Sequence, residues 1–316
     1  SGAVDTARVA ARLCKADLCT GLVSELPALQ GVIGGEYARR EGLPAEVCEA
    51  IANHYEPSKS YGGGSPSQLA GLRVSLADSL DKLVGYLGLG LVPTGSSDPF
   101  GLRRAATNLI EIALRWPGRF PGYSRLLVKA TQSYDGHDFS VAEIAAEVSE
   151  LFRSRYPLFF EGARYDVVEA ALGIEDLDPQ AVHFRVEVLK RLADDTEFVQ
   201  TATRPLNIVS AAQKKGERMG SLASDVHAAA INSGDGTALM EALSQSEAAV
   251  HKAVAEHDVD GLIQSLRTLE APINAFFEST MVMDENPDTR MARLTLVNLA
   301  AQQLGRAGNF NRLVIA

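Results

Sequence analysis

Apolar side chains recur every three or four residues through most of this sequence, and this spacing constrains its fold more than any other feature. The clearest stretch runs from Leu72 to Leu87, and a second runs from Leu102 to Ala113. Because about 3.6 residues make one helical turn, this spacing places apolar side chains on one face of an α-helix. Aromatic residues make up only 6% of the chain, which disfavours a β-sandwich. The sequence therefore predicts an all-α fold.

Prolines and Asx residues indicate where some of these helices begin. One amphipathic helix is predicted from Thr6 to Val23, and another from Pro44 to His54 with the proline near its first turn. The Ser97-Asp98-Pro99 sequence predicts a capped helix start, since an Asx side chain can accept hydrogen bonds from the free N–H groups there.

The composition limits the classes of protein to which the chain can belong. Its 316 residues suggest two or three folded units. No stretch approaches the roughly 18 consecutive apolar residues of a membrane span. Cys14, Cys19 and Cys48 form no CxxC pair, so neither a disulfide framework nor a zinc site is indicated. We therefore expect a cytoplasmic protein that makes no contact with a membrane.

The sequence by itself indicates no active site. Gly62-Gly63-Gly64 lacks the lysine and hydroxyl residue of a phosphate-binding P-loop and is predicted to be a surface loop. The six histidines are dispersed and none lies in an HExxH motif, so no metal site is predicted. His257-Asp258 has the form of a metal-binding doublet, but we interpret it as a chance pairing at a solvated helix end.

A net charge of −10 argues against general affinity for nucleic acid, because phosphates are neutralised by lysines and arginines gathered on a surface. Any such contact must be local. Arg103 and Arg104 stand at a predicted helix start, where cations oppose the helix dipole, so they should pair with a carboxylate such as Asp98 or Asp81, or bind a phosphate. Both interpretations stay open, and no metal ligand is assigned here.

The densest basic cluster of the C-terminal part consists of Lys214, Lys215 and Arg218, preceded by Arg204. At helical spacing Lys214 and Arg218 fall on one face. The cluster is either a solvated helix face or a contact for an anionic partner.

Four segments occur along the chain in the order KADLCTGLVSELPALQGVIGGEYA, HYEP, LADSLDKLVGYLGLGLVPTGSSDPFGLRRAA and FFESTMVMDENPDTRMARLTLV. In this order they resemble the C-terminal half of the β-subunit of the bacterial-type heterotetrameric glycyl-tRNA synthetase. The resemblance implies an HD-like helical domain over residues 1–118, beginning part-way through, and a helical connecting region over 119–202. It also implies an anticodon-binding helical bundle over 203–316, similar to that of arginyl-tRNA synthetases.

The family resemblance further implies a function and partners. This portion is expected to bind glycine tRNA and to associate with the glycyl-tRNA synthetase α-subunit or a fused α region. The whole enzyme would use ATP and Mg²⁺ to attach glycine, whereas no cofactor and no catalytic residue is expected in this portion, which alone should be inactive.

Two segments depart from the family pattern. In TRPLNIV, a lysine-arginine pair is replaced by residues that include Arg204 and Pro205, and Pro205 is expected to shift the start of the helix. In TRMARLTLV, methionine and alanine replace the usual asparagine, although Arg290 and Arg293 remain to reach phosphates or bases. The predicted tRNA contacts are Arg204, Lys214, Lys215, Arg218, Arg290 and Arg293.

Two other functions remain open from the residues. One is a nucleotide phosphohydrolase of the HD superfamily, although no His-Asp doublet occurs at Lys15-Ala16-Asp17. The other is a helical scaffold that binds the catalytic α-subunit without contacting tRNA, which an exposed apolar patch on the first domain would support.

Overall fold

A computed structural model describes residues 2–60, 65–221, 223–226, 231 and 234–315. This part of the chain is helical and has no β-strand beyond an isolated antiparallel bridge between Thr94 and Ser97. The predicted all-α fold is confirmed. Among the described residues, no helix is both long enough and apolar enough to cross a membrane. The predicted Gly62-Gly63-Gly64 loop lies outside the described residues.

The chain forms two compact units. The first comprises Ser1–Phe159 and Asp178–Gln180, and the second comprises Phe160–Leu177 and Ala181–Ala316. The three-domain division predicted at residues 118/119 and 202/203 stays a prediction.

The first unit is organised around one long central helix. That helix, α5, packs against α1, α4, α6, α7 and α8, so its apolar residues are buried on several sides. The helices of this unit are α1 (Gly2–Leu13), α2 (Gly21–Glu25), α3 (Val32–Arg40), α4 (Ala45–Asn53), α5 (Pro66–Gly88), α6 (Leu102–Arg115), α7 (Tyr123–Thr131) and α8 (Val141–Arg155). The two helices predicted from the clearest apolar spacing are thus confirmed as α5 and α6.

The start of α6 is held by the carboxylate of Asp98. Its Oδ1 accepts a hydrogen bond from the Leu102 backbone N–H at 2.8 Å, and its Oδ2 accepts one from the Arg103 N–H at 3.1 Å. The predicted capping role of Asp98 is therefore confirmed. The helix nevertheless begins at Leu102 rather than near Pro99, because a loop residue, Gly101, with φ of 68° leads into it.

The single helix predicted from Thr6 to Val23 is wrong. Helix α1 ends at Leu13, and a short 3₁₀ turn separates it from α2. The break places two charged side chains against other helices: Lys15 forms an ion pair with Asp78 at 2.8 Å, and buried Asp17 accepts a hydrogen bond from the Gly31 N–H at 2.6 Å. A continuous helix would not direct both groups to these partners.

The second unit is a bundle in which α15 is buried along most of its length. Helix α11 packs against α15 and α14, and α12 packs against α13, α14 and α15. The helices are α9 (Tyr165–Leu172), α10 (Pro179–Leu192), α11 (Thr196–Lys214), α12 (Gly234–Glu256), α13 (Val259–Arg267), α14 (Glu270–Ser279) and α15 (Pro287–Leu304).

Pro205 does not mark a helix start, so that expectation is wrong. It lies inside α11, which begins nine residues earlier at Thr196. Asp195 caps this start by accepting a hydrogen bond from the Phe198 N–H at 3.1 Å. Pro205 itself is buried, and packing of α11 against its neighbours offsets the hydrogen bond that an internal proline lacks.

Asp195 links the stability of the second unit to pH. The hydrogen bond from the Phe198 N–H, followed by the Arg267 guanidinium at 2.8 Å, lowers the pKa of this carboxyl group. A depressed pKa contributes stability that is present above the unfolded value of about 3.9 and is lost as the pH falls through the folded value.

We expect Asp195→Ala to lower the free energy of unfolding by about 1 kcal/mol at pH 7, as for other lost helix caps. The difference from the unsubstituted chain should shrink as the pH falls below about 3.9, the unfolded value, toward the lowered folded pKa of Asp195. Urea unfolding at several pH values would measure it. Asp194→Ala is the control, because that side chain is 85% exposed and its ion pair with Arg164 should contribute little. An equal loss at pH 3 and pH 7 would contradict the assignment.

Candidate functional site

Three of the predicted basic residues lie along one helix, α11. Arg204 is exposed in its middle, Lys214 is its last residue, and Lys215 follows directly. At about 100° and 1.5 Å per residue, Lys215 lies only about 20° around the helix from Arg204 and about 16 Å along it. The structure therefore places Arg204 and Lys215 on one side of α11, and Lys214 beside Lys215.

The segment after α11 carries the fourth basic residue and is fastened to α15. Gly216 adopts a φ of 71°, which lets the chain turn at the helix end. Gly220 then donates its N–H to Thr295 Oγ1 at 2.9 Å and accepts a hydrogen bond from Asn298 Nδ2 at 2.8 Å. Arg218 is thus exposed on a short connection held at both ends.

The side chains of Lys214, Lys215 and Arg218 make no hydrogen bond or ion pair with any described residue. We call these three residues and Arg204 the α11 basic cluster. Because no carboxylate neutralises them within the part of the chain described here, their charge is available to an anionic ligand.

Arg290 and Arg293 are instead engaged within the bundle. Arg290 Nε pairs with Glu217 at 3.1 Å, and its Nη1 donates to the Asp284 carbonyl at 2.8 Å. Arg293 Nη1 donates to the Asp284 carboxylate and to the Met281 carbonyl, each at 2.8 Å. Both arginines thus hold the loop between α14 and α15, and their predicted contact with tRNA stays a prediction.

The sequence analysis did not identify an aromatic ring beside Arg204. The Arg204 guanidinium carbon lies 4.9 Å from the centre of the half-buried Phe277 ring. An aromatic ring next to a cation is a feature of surfaces that stack unpaired bases. The two adjacent phenylalanines of the FFESTMVM segment could have indicated this ring, since one face of a helix cannot bury both.

In the first unit, the adjacent residues Arg103 and Arg104 differ in their side-chain contacts. Arg103 donates to the carbonyls of Gly95 at 2.7 Å and Ser97 at 3.3 Å, rather than to Asp98 or Asp81. Arg104 is exposed, and its side chain has no partner among the residues described. Arg103 is therefore a structural residue of the loop, whereas Arg104 remains available to a ligand.

A partly buried ammonium group, that of Lys15, joins several polar side chains of the first unit. Lys15 Nζ lies 3.0 Å from His54 Nε2, 2.8 Å from Asp78 Oδ1 and 3.8 Å from the centre of the Tyr55 ring. Burial, and then the charge of Lys15, lower the pKa of His54. His54 is therefore a neutral acceptor, and the lysine supplies the positive charge of this cluster.

The remaining candidate for metal binding has a structural role. Asp258 caps α13 through a hydrogen bond from the Gly261 N–H at 3.0 Å, as expected of a solvated helix end, and His257 has a φ of 54°. The described residues contain no group of three or more His, Cys, Asp or Glu side chains that could hold a metal ion. His227, one of the six histidines for which no metal site is predicted, lies outside the described residues.

Comparison with protein families gives two matches that together cover both units. A family model described as glycyl-tRNA synthetase beta subunit matches residues 2–173. A second, described as DALR anticodon binding domain, matches residues 199–310. The second match contains all but the first three residues of α11, together with α14 and α15, and therefore the whole α11 basic cluster and Phe277.

Curated relatives resemble the chain over nearly its whole length. A glycine–tRNA ligase beta subunit of Phenylobacterium zucineum is 36% identical over 307 residues, which cover 96% of this chain and 43% of that protein. Those of Moorella thermoacetica and Bacillus subtilis are 34% and 31% identical, over 96% and 97% of this chain and 44% and 43% of the relatives. The chain thus spans less than half the length of these relatives.

Proposed function

Because the chain belongs to the glycyl-tRNA synthetase β-subunit family, we propose that it is the tRNA-binding portion of a glycine–tRNA ligase and recognises the anticodon region of glycine tRNA. The α11 basic cluster carries this proposal. Its cations are unpaired among the described residues although the chain has a net charge of −10. Such a local positive surface is what an otherwise acidic protein needs to bind RNA at one place.

In the proposed mechanism, different residues provide the affinity for tRNA and the recognition of its sequence. Lys214, Lys215 and Arg218 contact phosphates and set the affinity, because they are exposed, charged and flexible. Arg204 and Phe277 receive an unpaired base, which can stack on the aromatic ring or the guanidinium plane and be read on its edges. The acidic remainder of the chain repels RNA that does not fit this surface.

The proposal assigns other parts of the reaction to partners. The whole enzyme would use ATP and Mg²⁺ with the α-subunit or a fused α region, in the cytoplasm. We assign no step of glycine attachment to this portion. The HD-like ancestry of residues 1–118, the connecting role of 119–202 and the anticodon-binding role of 203–316 are part of the same proposal.

A scaffold that binds the α-subunit without contacting tRNA is the second candidate. The observation that motivates it is the exposure of Leu18, Leu26 and Val32 of the first unit, at 48%, 51% and 53%. Contiguous apolar surface, rather than single exposed side chains, marks a contact with another protein, so the α-subunit would have to cover these three residues together. The two functions are compatible, but only the first requires the α11 basic cluster.

Anticodon recognition is tested by the affinity of the chain for glycine tRNA and for the same tRNA with a replaced anticodon. We expect the native anticodon to be preferred by at least about tenfold, since each lost base contact costs about 1–3 kcal/mol. The preference should persist at two salt concentrations, because base contacts release few counterions. Equal affinity for both tRNAs would overturn anticodon recognition, and no binding to either would favour the scaffold.

A further inference from the structure

A polar cavity of about 590 Å³ lies in the first unit and is lined by none of the residues of the α11 basic cluster. Side chains from α5, α6 and the segments around Gln30 and Tyr55 line it, together with the loop that leads into α6. Its volume is in the range of pockets that enclose small-molecule ligands. The predicted function of the chain gives this cavity no role.

Two unpaired polar side chains of α6 line the cavity. Arg104 and Asn108 are four residues apart, so they lie on the same face of the helix. Neither side chain has a hydrogen-bond partner among the described residues. A guanidinium with an amide one turn away supplies several N–H donors to one place, which suits a phosphate group.

The carboxylates of the lining do not neutralise Arg104. Both oxygens of Asp98 already accept hydrogen bonds from backbone N–H groups of α6. Asp78 lies 2.8 Å from Lys15 Nζ and 3.9 Å from Lys82 Nζ, so two cations share its charge. The remaining carboxylate, Glu56, is exposed.

An aromatic ring and a hydroxyl group complete the lining. Phe100 stacks on Tyr86, with ring centres 4.2 Å apart, and remains 38% exposed. The Tyr55 hydroxyl accepts a hydrogen bond from Gln30 Nε2 at 2.6 Å, which leaves its own O–H available as a donor. The cavity thus offers an aromatic surface, an anion-binding pair and further polar groups within one volume.

We propose that this cavity binds a nucleotide, with its phosphate on Arg104 and Asn108 and its base against Phe100. The phosphate and base could belong to a free mononucleotide or to a nucleotide of single-stranded RNA, since both present the same chemical groups. The site goes beyond the proposed anticodon recognition and does not depend on it.

The test is calorimetric titration of the full chain with adenosine monophosphate, inorganic phosphate and a short single-stranded RNA. Arg104→Met removes the charge and keeps much of the side-chain volume. Arg115→Met removes a guanidinium from the other end of α6, where it pairs with Glu111 at 3.0 Å. Phe100→Leu removes the aromatic surface. Circular dichroism melting would verify that each variant folds.

We expect Arg104→Met to weaken binding of adenosine monophosphate about tenfold, as for the loss of a charge-assisted hydrogen bond, and Arg115→Met to leave it unchanged. Phe100→Leu should weaken binding of adenosine monophosphate but not binding of inorganic phosphate. The RNA is compared in the variant with alanine at Lys214, Lys215 and Arg218, so that the α11 basic cluster does not contribute. Tighter binding of the RNA than of the mononucleotide, weakened by Arg104→Met, would support an RNA source, and RNA binding no tighter than that of the mononucleotide would support a free nucleotide.

No binding of adenosine monophosphate at about 10 mM, a concentration that would reveal even millimolar affinity, would overturn the proposal. So would equal weakening by Arg104→Met and Arg115→Met. Alanine at Lys214, Lys215 and Arg218 should leave nucleotide binding unchanged. Failure of this site and failure of the anticodon proposal can therefore be told apart.

Discussion

Simultaneous replacement of Lys214, Lys215 and Arg218 by alanine is expected to weaken binding of glycine tRNA about a hundredfold near 0.15 M salt, since each phosphate contact releases counterions. The three side chains make no ion pair with any described residue, so their removal breaks no contact that stabilises this part of the fold. The slope of log affinity against log salt should become shallower by about 2–3 units, at roughly 0.7–0.9 per phosphate contact.

A control variant separates local contacts from net charge. Lys190, Arg191 and Lys252 are exposed cations of the same unit outside the α11 basic cluster, and their replacement by alanine changes the net charge by the same amount. We expect this control to weaken tRNA binding by only a fewfold. If both triple variants weaken binding equally, or if the salt slope of the first is unchanged, the cluster does not contact phosphates.

Where local rules decide the structure, the sequence predicted it. Helices α5 and α6 follow from apolar spacing, because each needs one buried face and each has neighbours to cover it. The capping role of Asp98 follows from its short side chain, which reaches the free N–H groups of the next turn. These features depend on residues close together in the chain.

Contacts between residues far apart in the chain could not be predicted from local patterns. The predicted Thr6–Val23 helix ends at Leu13, and Lys15, just beyond it, pairs with Asp78, which lies 63 positions later. The ion pairs of Arg290 with Glu217 and of Arg293 with Asp284 were not predicted either, and the contact of both arginines with tRNA stays a prediction. Phe277 was missed for the same reason, since only the packed bundle places its ring beneath Arg204. A single sequence does not contain such pairings in a local pattern.

The bundle that presents the α11 basic cluster depends on a fully buried ring near the start of α11. Phe198 has no exposed surface; its ring centre lies 5.9 Å from that of Phe310 and 5.4 Å from the Arg267 guanidinium. Asp195 caps the helix at the Phe198 N–H and also pairs with Arg267. Phe198 is therefore both packed in the core and hydrogen-bonded to the helix cap, and these two contacts fix where α11 begins.

We expect Phe198→Ala to lower the free energy of unfolding by about 3–5 kcal/mol, through lost burial and the cavity left behind. Phe277→Ala removes the same side chain from a half-buried position, so it should cost only about 1–2 kcal/mol. Urea unfolding followed by circular dichroism would measure both.

The substitution with the smaller effect on stability should have the larger effect on tRNA binding. Phe277→Ala is expected to weaken binding of glycine tRNA about tenfold, because stacking on an aromatic ring contributes about 1–3 kcal/mol per base. Phe198→Ala, measured well below its unfolding temperature, should leave affinity within about threefold, since the ring is wholly buried and cannot touch RNA. If Phe277→Ala binds tRNA as tightly as the unsubstituted chain, Phe277 does not receive a base. If Phe198→Ala is as stable as Phe277→Ala, burial of this ring does not hold α11 in place.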